Sequence, residues 1–511
     1  MPDLRTSPIA LAILWLGTTA LFAQNQPADQ SSQSPPDVAA RRAGAVEIEE
    51  HWQSILIGDE RIGYVRSRIE PIGEAGRLRT DTETKMTFKR FGQEITIGVA
   101  ISTTETADGQ LLGYEYAMRM PTGTMKSAGT VEGDELTIKS TVAGETATRT
   151  IPFDPTVKSP AYQDRLLREK KLEPGDSRTY RAFIPEMNQV TKITVTADEW
   201  QEVTLPDGST QSLLKTTIAQ SILPNLPMVA YLDQSGEIVL AEMEMLGQTM
   251  RMVAASKDDA LAEIIGSELD LAVNSLIPAS PLENPHETKR VVYKVHVPGE
   301  NAASLFVDDG TQHVQTIDHE TVKITVVSKP IPPNAAPGET KPEYTQPSQM
   351  VQSDDETVRE HLAQATTPEQ DPAEAARALE AYVHEVIKEK NFENAFASAG
   401  QVADSLEGDC SEHAVLLAAL LRARGIPSRL VAGIVYVPGE AKMGGHMWTE
   451  AFLGGEWIPL DATLGRGGIG GGHLKIGVTS LSDEAPLPVT CFAPLLSLGS
   501  ESTIEVLKAE R

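Results

Sequence analysis

Cys410 is the residue of this 511-residue chain whose type and position most clearly allow chemistry. It lies in the sequence GDCSEHA at 408–414, directly before the apolar run VLLAALLRARG at 415–425. Asp409 is a good N-cap, the run contains strong helix formers, and a glycine and a proline end it, so a buried helix should begin at the thiol. The positive end of a helix dipole stabilises a thiolate and lowers a cysteine pKa from about 8.5. The chain has only one other cysteine, Cys491, which favours a nucleophilic role for Cys410.

A histidine and an aspartate follow with a spacing that can orient an imidazole. The sequence HMWTEAFL at 446–453 alternates as a strand does, and the two glycines after it are a hairpin signal. With that turn, His446 lies opposite Thr463 and on the same face of the hairpin as Asp461. Diagonal neighbours of this kind have Cβ atoms roughly 7 Å apart, which allows the carboxylate to hold an imidazole N–H.

Together these residues predict a Cys–His–Asp site. Cys410 would attack a carbonyl carbon, His446 would take the thiol proton and return it to the leaving group, and Asp461 would fix the imidazole tautomer. The backbone N–H of Cys410 at the helix start is one donor for the developing oxyanion. The sequence identifies no side-chain donor for it.

Four segments of the sequence together resemble the transglutaminase-like superfamily, a papain-related group of thiol enzymes. They are GDCSEHA at 408–414, RARGIPSR at 422–429, GHMWTE at 445–450 and WIPLDAT at 457–463. The resemblance covers about 344–496, less than a third of the chain, and implies the catalytic roles of Cys410, His446 and Asp461. It also implies an acyl-thioester that passes to an amine or to water. Some members of the superfamily act instead as peptidases or have lost activity, but the motif is intact here.

Several neighbouring residues have two interpretations. Trp448 shares the face of His446 and either shields the site or packs in the core. Glu450 lies on that face too and is a weaker rival of Asp461 for orienting the imidazole. His413 follows Cys410 on the same helix, where it has poor access to the thiol, so a structural role is favoured. His473 either lines the cleft or, as is more common, has its hydrogen bonds satisfied in a loop or strand.

The glycine-rich run GRGGIGGG at 465–472 is not a phosphate-binding loop, because no Lys-Ser or Lys-Thr pair follows it. It is better interpreted as a flexible loop beside the site, acting as a lid. The histidines at 413, 446 and 473 lack the spacing of known zinc motifs, and the acidic residues form no EF-hand loop. The sequence therefore predicts no metal and no other cofactor.

Charge and the first residues indicate the compartment and the class of partner. The formal net charge of −28 argues against nucleic acid and anionic membranes as partners, while the resemblance to the superfamily implies a protein or peptide substrate. Residues 1–23 have a basic residue followed by an apolar stretch of about 14 residues, too short to span a bilayer comfortably. This predicts a signal peptide and a periplasmic or extracellular protein, membrane-tethered if the signal is not cleaved. No later segment is apolar enough to span a membrane, and the oligomeric state stays open.

The pattern along the chain predicts an α+β protein with a β-rich N-terminal region before a papain-like core, in which a cysteine helix packs on an antiparallel sheet. Repeated hairpin signals predict one large antiparallel sheet, curved or sandwiched. The predicted units are a disordered tether at 24–45, a β-rich domain at 46–277 ending in a helix from 258, a small β segment at 285–330, a proline-rich linker at 330–343 and the catalytic domain at 344–500.

Two classes of function are consistent with this sequence. The first is an exported thiol enzyme acting on protein or peptide amides through an acyl-thioester on Cys410, with a cysteine peptidase or amidase as its close alternative. The second is a non-catalytic envelope module whose N-terminal sheet binds a partner. Replacement of Cys410 with alanine would abolish the first function and leave the second unchanged.

Overall fold

The computed structural model describes residues 48–73, 76–90, 92–121, 123–245, 248–264, 276–388, 397–484, 494–499 and 501–511. The predicted signal peptide, the predicted tether at 24–45 and Cys491 lie outside these residues, so what the sequence indicates about them stays a prediction. Among the described residues, no helix combines the length and the apolar character needed to cross a bilayer.

The described part of the N-terminal region forms one antiparallel sheet of fourteen strands. They are β1 (Glu49–Ile57), β2 (Glu60–Ile72), β3 (Arg77–Arg90), β4 (Gln93–Glu105), β5 (Leu111–Met120), β6 (Gly123–Glu132), β7 (Glu135–Val142), β8 (Glu145–Pro152), β9 (Ser177–Ile184), β10 (Gln189–Thr204), β11 (Thr210–Gln220), β12 (Leu223–Leu232), β13 (Ile238–Met245) and β14 (Gln248–Ala254). Most neighbours are hairpin partners, and β1 pairs with β14, which places β8 and β9 at the two edges. The large antiparallel sheet predicted from the hairpin signals is confirmed.

Alternating side chains explain why this sheet buries one face. In β4 the apolar residues Ile95, Ile97, Val99 and Ile101 are buried, and the residues between them are more exposed. Side chains of a strand point alternately to its two faces, so this pattern directs one face into a core. Lys158 forms bridges to both Gln110 and Ala182, which joins the two halves of the sheet through the segment after β8.

Glu186 is a buried carboxyl group in the turn between β9 and β10. Burial raises the pKa of Glu186 to about 8, so the group is mainly protonated at neutral pH in the folded protein. Because the folded pKa lies above the unfolded value, the contribution of Glu186 to stability is complete below the unfolded pKa. It is lost as the pH rises towards 8.

We expect the free energy of unfolding to fall between pH 5 and pH 9 through this group, by an amount on the order of 4 kcal/mol. Glu186→Gln keeps the shape of the side chain and removes its titration, so this variant should be the more stable protein at pH 9. Urea unfolding at several pH values measures the difference, with Glu135→Gln at an exposed position of the same sheet as the control. Equal pH dependence in the wild type and Glu186→Gln would contradict the assignment.

The rest of the described chain forms two smaller sheets and their helices. The strands are β15 (Ile277–Pro278), β16 (Arg290–His296), β17 (Gln312–Thr316), β18 (Thr321–Val327), β19 (Ser428–Val437), β20 (Lys442–Leu453), β21 (Glu456–Leu460), β22 (His473–Thr479) and β23 (Thr503–Glu510). The helices of the described chain are α1 (Tyr162–Glu169), α2 (Lys257–Leu261), α3 (Glu356–Ala365), α4 (Pro372–Val386), α5 (Ala399–Ser405) and α6 (Cys410–Ala423). One sheet has the order β15-β20-β19-β22 with β21 paired to β20, and the other has the order β17-β18-β16-β23.

The cysteine helix has the packing that the sequence predicts. Helix α6 lies on β19 and β20, and helices α3, α4 and α5 pack against it. Asp371 caps α4 by accepting hydrogen bonds from the backbone N–H groups of Ala373 and Glu374, and a proline occupies the start of the helix. Strand β19 is buried along its whole length. The α+β fold class, with a large β-rich N-terminal region before a cysteine helix packed on an antiparallel sheet, is therefore confirmed.

Strand pairing links segments on either side of the predicted domain boundaries, which stay predictions. Of the predicted helix from 258 to 277, residues up to Leu261 belong to α2 and Ile277 belongs to β15, while residues 265–275 lie outside the described chain. Strand β23, beyond the predicted catalytic domain, pairs with β16 and completes the small β segment. The proline-rich linker packs on the catalytic sheet, where the Ala336 carbonyl accepts from the Gly454 N–H at 2.8 Å.

Candidate active site

Helix α6 begins at Cys410 with a complete capping box. The Asp409 carboxylate accepts from the backbone N–H of Ser411 at 2.8 Å, and the Glu412 carboxylate accepts from the Asp409 N–H at 3.0 Å. Asp409 is thus the N-cap that the sequence predicts, while the reciprocal role of Glu412 was missed, although an aspartate followed by a glutamate at the third position is its usual signal. Burial and the Asp409 carboxylate raise the pKa of Glu412 well above its usual range.

Two hydrogen bonds fix how α6 lies along the sheet. The Thr449 hydroxyl of β20 donates to the Ala414 carbonyl at 2.9 Å, and the Ser428 hydroxyl donates to the Ala418 carbonyl at 2.9 Å. Ser428 pairs with Ala451. Four helix residues advance about 6 Å and two strand residues about 7 Å, so the helix and β20 run in the same direction in step.

One helical turn before Ala414 lies Cys410, and the matching position on β20 is two residues before Thr449. Cys410 is therefore level with the start of the HMWTEAFL strand. The side chain of Cys410 is 4 % exposed, and that of His446 is 1 % exposed. The packing of α6 on β20 therefore brings the thiol-bearing end of the helix to the part of the strand that carries the imidazole.

The β20–β21 hairpin has the predicted register. Leu453 pairs with Glu456, and Thr449 pairs with Leu460. Asp461 directly follows Leu460 at the end of β21, and His446 lies three residues before Thr449 on β20, so the register brings the two residues to the same end of the hairpin. His446 Nε2 lies 2.8 Å from Asp461 Oδ2. The diagonal contact predicted from the sequence is therefore present.

Asp461 is a buried, ionised acceptor. Its Oδ1 accepts from the backbone N–H groups of Thr463 at 3.0 Å and Leu464 at 3.2 Å, and its Oδ2 contacts two imidazoles. Burial alone would raise the pKa of Asp461. The electrostatic interaction with the His446 imidazole and the hydrogen bonds from His446 and His473 hold the pKa of Asp461 well below its usual range.

The second imidazole is His473 of β22, whose Nε2 lies 3.0 Å from the same Asp461 oxygen. Of the two interpretations from the sequence, the structure supports a strand histidine whose hydrogen bond is satisfied, and its partner is Asp461 itself. The pairing with Val435 across the sheet, which brings His473 to the site, could not be foreseen from local patterns. Burial lowers the pKa of His473. A neutral His473 donates its Nε2 hydrogen to the carboxylate, so Asp461 is held by both imidazoles.

The orientation of His446 decides which nitrogen is available for chemistry. Nε2 faces Asp461, and Nδ1 is buried without a hydrogen-bond partner among the described residues. With the Nε2 hydrogen donated to the carboxylate, Nδ1 carries the lone pair. A lone pair on this nitrogen is what a base for a neighbouring thiol requires.

One aromatic side chain packs against both imidazoles. The Trp448 ring is stacked with His446 at 6.2 Å between ring centroids and contacts His473 edge-on at 5.2 Å. Trp448 is fully buried, so both sequence interpretations apply to it: it packs in the core and it shields the His446–Asp461 pair from water.

Glu380 of α4 is a buried contact of the site that the sequence did not reveal. Its carboxylate accepts from the Asp461 N–H at 3.0 Å and from the Gly468 N–H at 2.9 Å. Burial, with the Asp461 carboxylate nearby, raises the pKa of Glu380 to about 7. Glu380 follows Leu379, a residue of the buried face of the helix. An acidic residue next to such a face is the only local pattern that could have indicated a buried carboxyl group here.

Glu450 has another role than the one considered from the sequence. Its carboxylate contacts Lys475 Nζ and accepts from Arg429 Nε at 2.7 Å, and both cations also contact Asp309 at 2.7 Å. Glu450 is therefore the centre of a buried ion cluster, and its carboxylate is bonded to these cations instead of orienting His446.

Glu450→Gln should lower the free energy of unfolding by about 3 kcal/mol, because it removes the charge between two buried cations. The rate of Cys410 alkylation should change little. Urea unfolding and timed alkylation measure the two effects, with Glu456→Gln as the control, since its pair with Lys329 is exposed and should contribute less than about 1 kcal/mol. If Glu450→Gln were as stable as the wild type but its Cys410 were alkylated slowly, Glu450 would have a role in orienting His446 and the structural role would be wrong.

His413 has the structural role favoured by the sequence. Its Nδ1 donates to the Asp409 carbonyl at 2.6 Å within the same helix, and the side chain is buried. Burial lowers the pKa of His413. The ring thus supports the first turn of α6.

The second half of the glycine-rich run is packed, which corrects the lid interpretation. Residues 469–472 are buried, and a Cβ atom at Gly470 would lie 2.5 Å from the backbone of His286. The same atom at Gly471 would lie 2.4 Å from Val291. Glycine is required here because two backbone segments approach closely, and not because the loop moves.

Comparison with known proteins now identifies part of the chain. Residues 360–462, which include Cys410, His446 and Asp461, match the family model of the transglutaminase-like superfamily. This segment is a transglutaminase-like domain. No curated protein matches the chain. His473 and His286 lie outside the matched segment, one after it and one before it in the chain.

Three solved structures resemble parts of the chain at low similarity. A β-barrel-like protein of a domain of unknown function, DUF1849, from Brucella abortus is 15% identical with a TM-score of 0.31, over 41% of this chain and 96% of that one. A "Putative Cysteine Protease" from Cytophaga hutchinsonii is 17% identical with a TM-score of 0.27, over 38% and 80%. A "Putative Protease" from Parabacteroides distasonis is 13% identical with a TM-score of 0.19, over 73% and 68%. No functional argument rests on these three similarities.

Proposed function

We propose that this protein is an exported thiol enzyme that attacks amides of proteins or peptides through Cys410 and forms an acyl-thioester. The observation that carries the proposal is the orientation of His446, whose Nε2 bonds to Asp461 while Nδ1 has no hydrogen-bond partner among the described residues. His473 has the same two features, since its Nε2 also contacts Asp461 and its Nδ1 has no partner among the described residues. His446 is favoured as the base because it lies on β20, the strand on which the cysteine helix packs.

The proposed reaction has two steps. His446 Nδ1 takes the thiol proton as the sulfur of Cys410 bonds to the amide carbon, and the carbonyl oxygen becomes an oxyanion beside the Cys410 N–H. The carbon–nitrogen bond then breaks, and the proton on His446 passes to the departing amine. The thioester is next attacked by an amine or by water, which loses a proton to His446 and releases the thiol.

Asp461 supports both steps by holding His446 in one tautomer and by stabilising the imidazolium that forms in each. Trp448 excludes water from this pair, which strengthens the interaction. Transfer to an amine and hydrolysis use the same groups, so a cysteine peptidase or amidase is the alternative outcome of the second step.

Export is part of the proposal and is supported by the apolar stretch within residues 1–23. A thiol nucleophile in a chain with only two cysteines is also consistent with an exported protein that does not depend on disulfides. The N-terminal residue of the protein recovered from its source, determined by mass spectrometry, tests this part.

The function is tested by incubating the reduced protein with a mixture of protein substrates and a biotinylated primary amine. We expect either biotin on substrate carboxamides or new peptide termini, and neither with Cys410→Ala. The ratio of the two products distinguishes transfer from hydrolysis. Neither product from the wild type would overturn the enzyme proposal and favour the non-catalytic envelope module.

A further inference from the structure

The groups around Asp461 form a compact set of metal donors. His446 Nε2 and His473 Nε2 lie 2.8 and 3.0 Å from the same Asp461 oxygen, and the three donor atoms are all within 4.8 Å of one another. All three side chains are fully buried. Two imidazole nitrogens and one carboxylate oxygen are a donor set of the kind found in catalytic zinc sites.

His286 provides a second, independent observation. Its side chain is only 9% exposed, and neither ring nitrogen has a hydrogen-bond partner among the described residues. Its ring lies edge-on against His473, at 5.6 Å between ring centroids. A buried imidazole with both nitrogens unsatisfied is unusual, because buried polar groups are nearly always hydrogen-bonded.

A cavity lies beside this set of side chains. It has a volume of about 440 Å³ and is lined by His286, Leu464 and Arg466 together with residues of the β19–β20 turn. Leu464 also donates its backbone N–H to Asp461 at 3.2 Å, and His286 contacts His473. The cavity wall therefore adjoins the buried donor set through Leu464 and His286, and this is the side from which an ion would approach.

We infer that His446, Asp461 and His473 bind a divalent transition-metal ion of the Zn²⁺ class, with His286 as a further imidazole beside them. Imidazole nitrogens suit Zn²⁺, whereas Ca²⁺ and Mg²⁺ require sets of oxygen donors. The present separations are those of hydrogen bonds. The ion takes the place of the two Nε2 hydrogens, so the donor atoms have to move from hydrogen-bond separations to those of metal ligands.

Binding of this ion would regulate the thiol site, a consequence that rests on the proposed function. When a metal occupies Nε2 of a neutral His446, the ring hydrogen moves from Nε2 to Nδ1, and no proton has to leave the protein. Nδ1 then has no lone pair for the Cys410 proton. The metal-bound form is reversibly inhibited, and removal of the metal restores the base.

Metal binding is tested first without the thiol. The full chain carrying Cys410→Ala is titrated with Co²⁺ and followed by its visible absorption, and one bound ion per chain with tetrahedral bands is expected. His473→Gln, which keeps an N–H donor for Asp461, should weaken binding at least about 100-fold, and His286→Ala should weaken it less. His313→Gln is the control, because this histidine is exposed at the small sheet and should leave binding unchanged. Absence of stoichiometric binding, or equal binding by His473→Gln, would overturn the inference, and circular dichroism shows that each variant is folded.

Regulation is tested by iodoacetamide alkylation of Cys410 in the protein with its thiol. Zn²⁺ should slow alkylation at least tenfold, and EDTA should restore it. In His473→Gln the effect of Zn²⁺ should be lost. Equal slowing in His473→Gln would mean that Zn²⁺ binds the thiol directly, which overturns the inhibitory site. Slow alkylation without any Zn²⁺ would instead count against the proposed function, while Co²⁺ binding by the Cys410→Ala protein would stand.

Discussion

Replacement of Cys410 with alanine is expected to abolish acyl-enzyme formation completely and to leave the fold intact. The sulfur supplies the bond to the acyl group, and no other described side chain of the site is a comparable nucleophile at neutral pH. Loss of one sulfur atom at a helix start should reduce the free energy of unfolding by only about 1 kcal/mol. Incubation with p-nitrophenyl acetate, followed by intact-mass measurement, reports one acetyl group per chain in the wild type and none in the variant.

The matched control is Cys491→Ala, which should be acetylated as the wild type is. Urea unfolding of both variants separates loss of the nucleophile from loss of structure. Acetylation of Cys410→Ala at the wild-type rate would show that the acyl group is attached elsewhere, and the role of Cys410 would then be rejected.

Asp461→Asn is expected to reduce the rate of acetylation about 10³- to 10⁴-fold. The Asp461 carboxylate accepts from both imidazoles on Oδ2 and from the Thr463 and Leu464 N–H groups on Oδ1, whereas an amide has only one acceptor oxygen. When that oxygen accepts from the two backbone N–H groups, the amide NH2 faces the imidazoles and cannot accept from His446. His446 would then adopt the other tautomer, with hydrogen on Nδ1, and would lose the lone pair needed for the thiol. The initial burst of p-nitrophenolate measures the rate.

Asp309→Asn is the control for this variant, since Asp309 is a carboxylate of the neighbouring ion cluster. It should change the free energy of unfolding and leave the acetylation rate within a few-fold of the wild type. A loss of less than tenfold in Asp461→Asn, with the fold retained, would contradict the role assigned to the carboxylate.

Local patterns in the sequence were sufficient to predict the centre of the site. The helix beginning at Cys410 follows from Asp409 and the apolar run after it, and the contact between His446 and Asp461 follows from a two-residue turn. Both depend on residues close together in the chain, where capping and hairpin rules apply.

The surroundings of the site depend on contacts that the sequence does not encode locally. His473 reaches Asp461 because β22 pairs with β19, and His286 comes from a segment more than one hundred residues before the cysteine helix. Glu380 is bonded to the Asp461 backbone across the α4 interface. The glycine run was interpreted as a mobile loop because its composition allows motion, whereas close contacts of Gly470 with the His286 backbone and of Gly471 with Val291 explain the glycines of its buried second half.

The most direct test of the thiol site is the pH dependence of iodoacetamide alkylation, read separately at Cys410 and Cys491 by mass spectrometry. We expect fast alkylation of Cys410 that persists well below pH ~8 in the wild type and is at least about tenfold slower at pH 6 in His446→Ala. Cys491 should be unaffected by that substitution. If Cys410 reacts slowly and titrates as an ordinary thiol, or if His446→Ala has no effect on its rate, then the thiol is not activated by this imidazole and the proposed catalytic site is wrong.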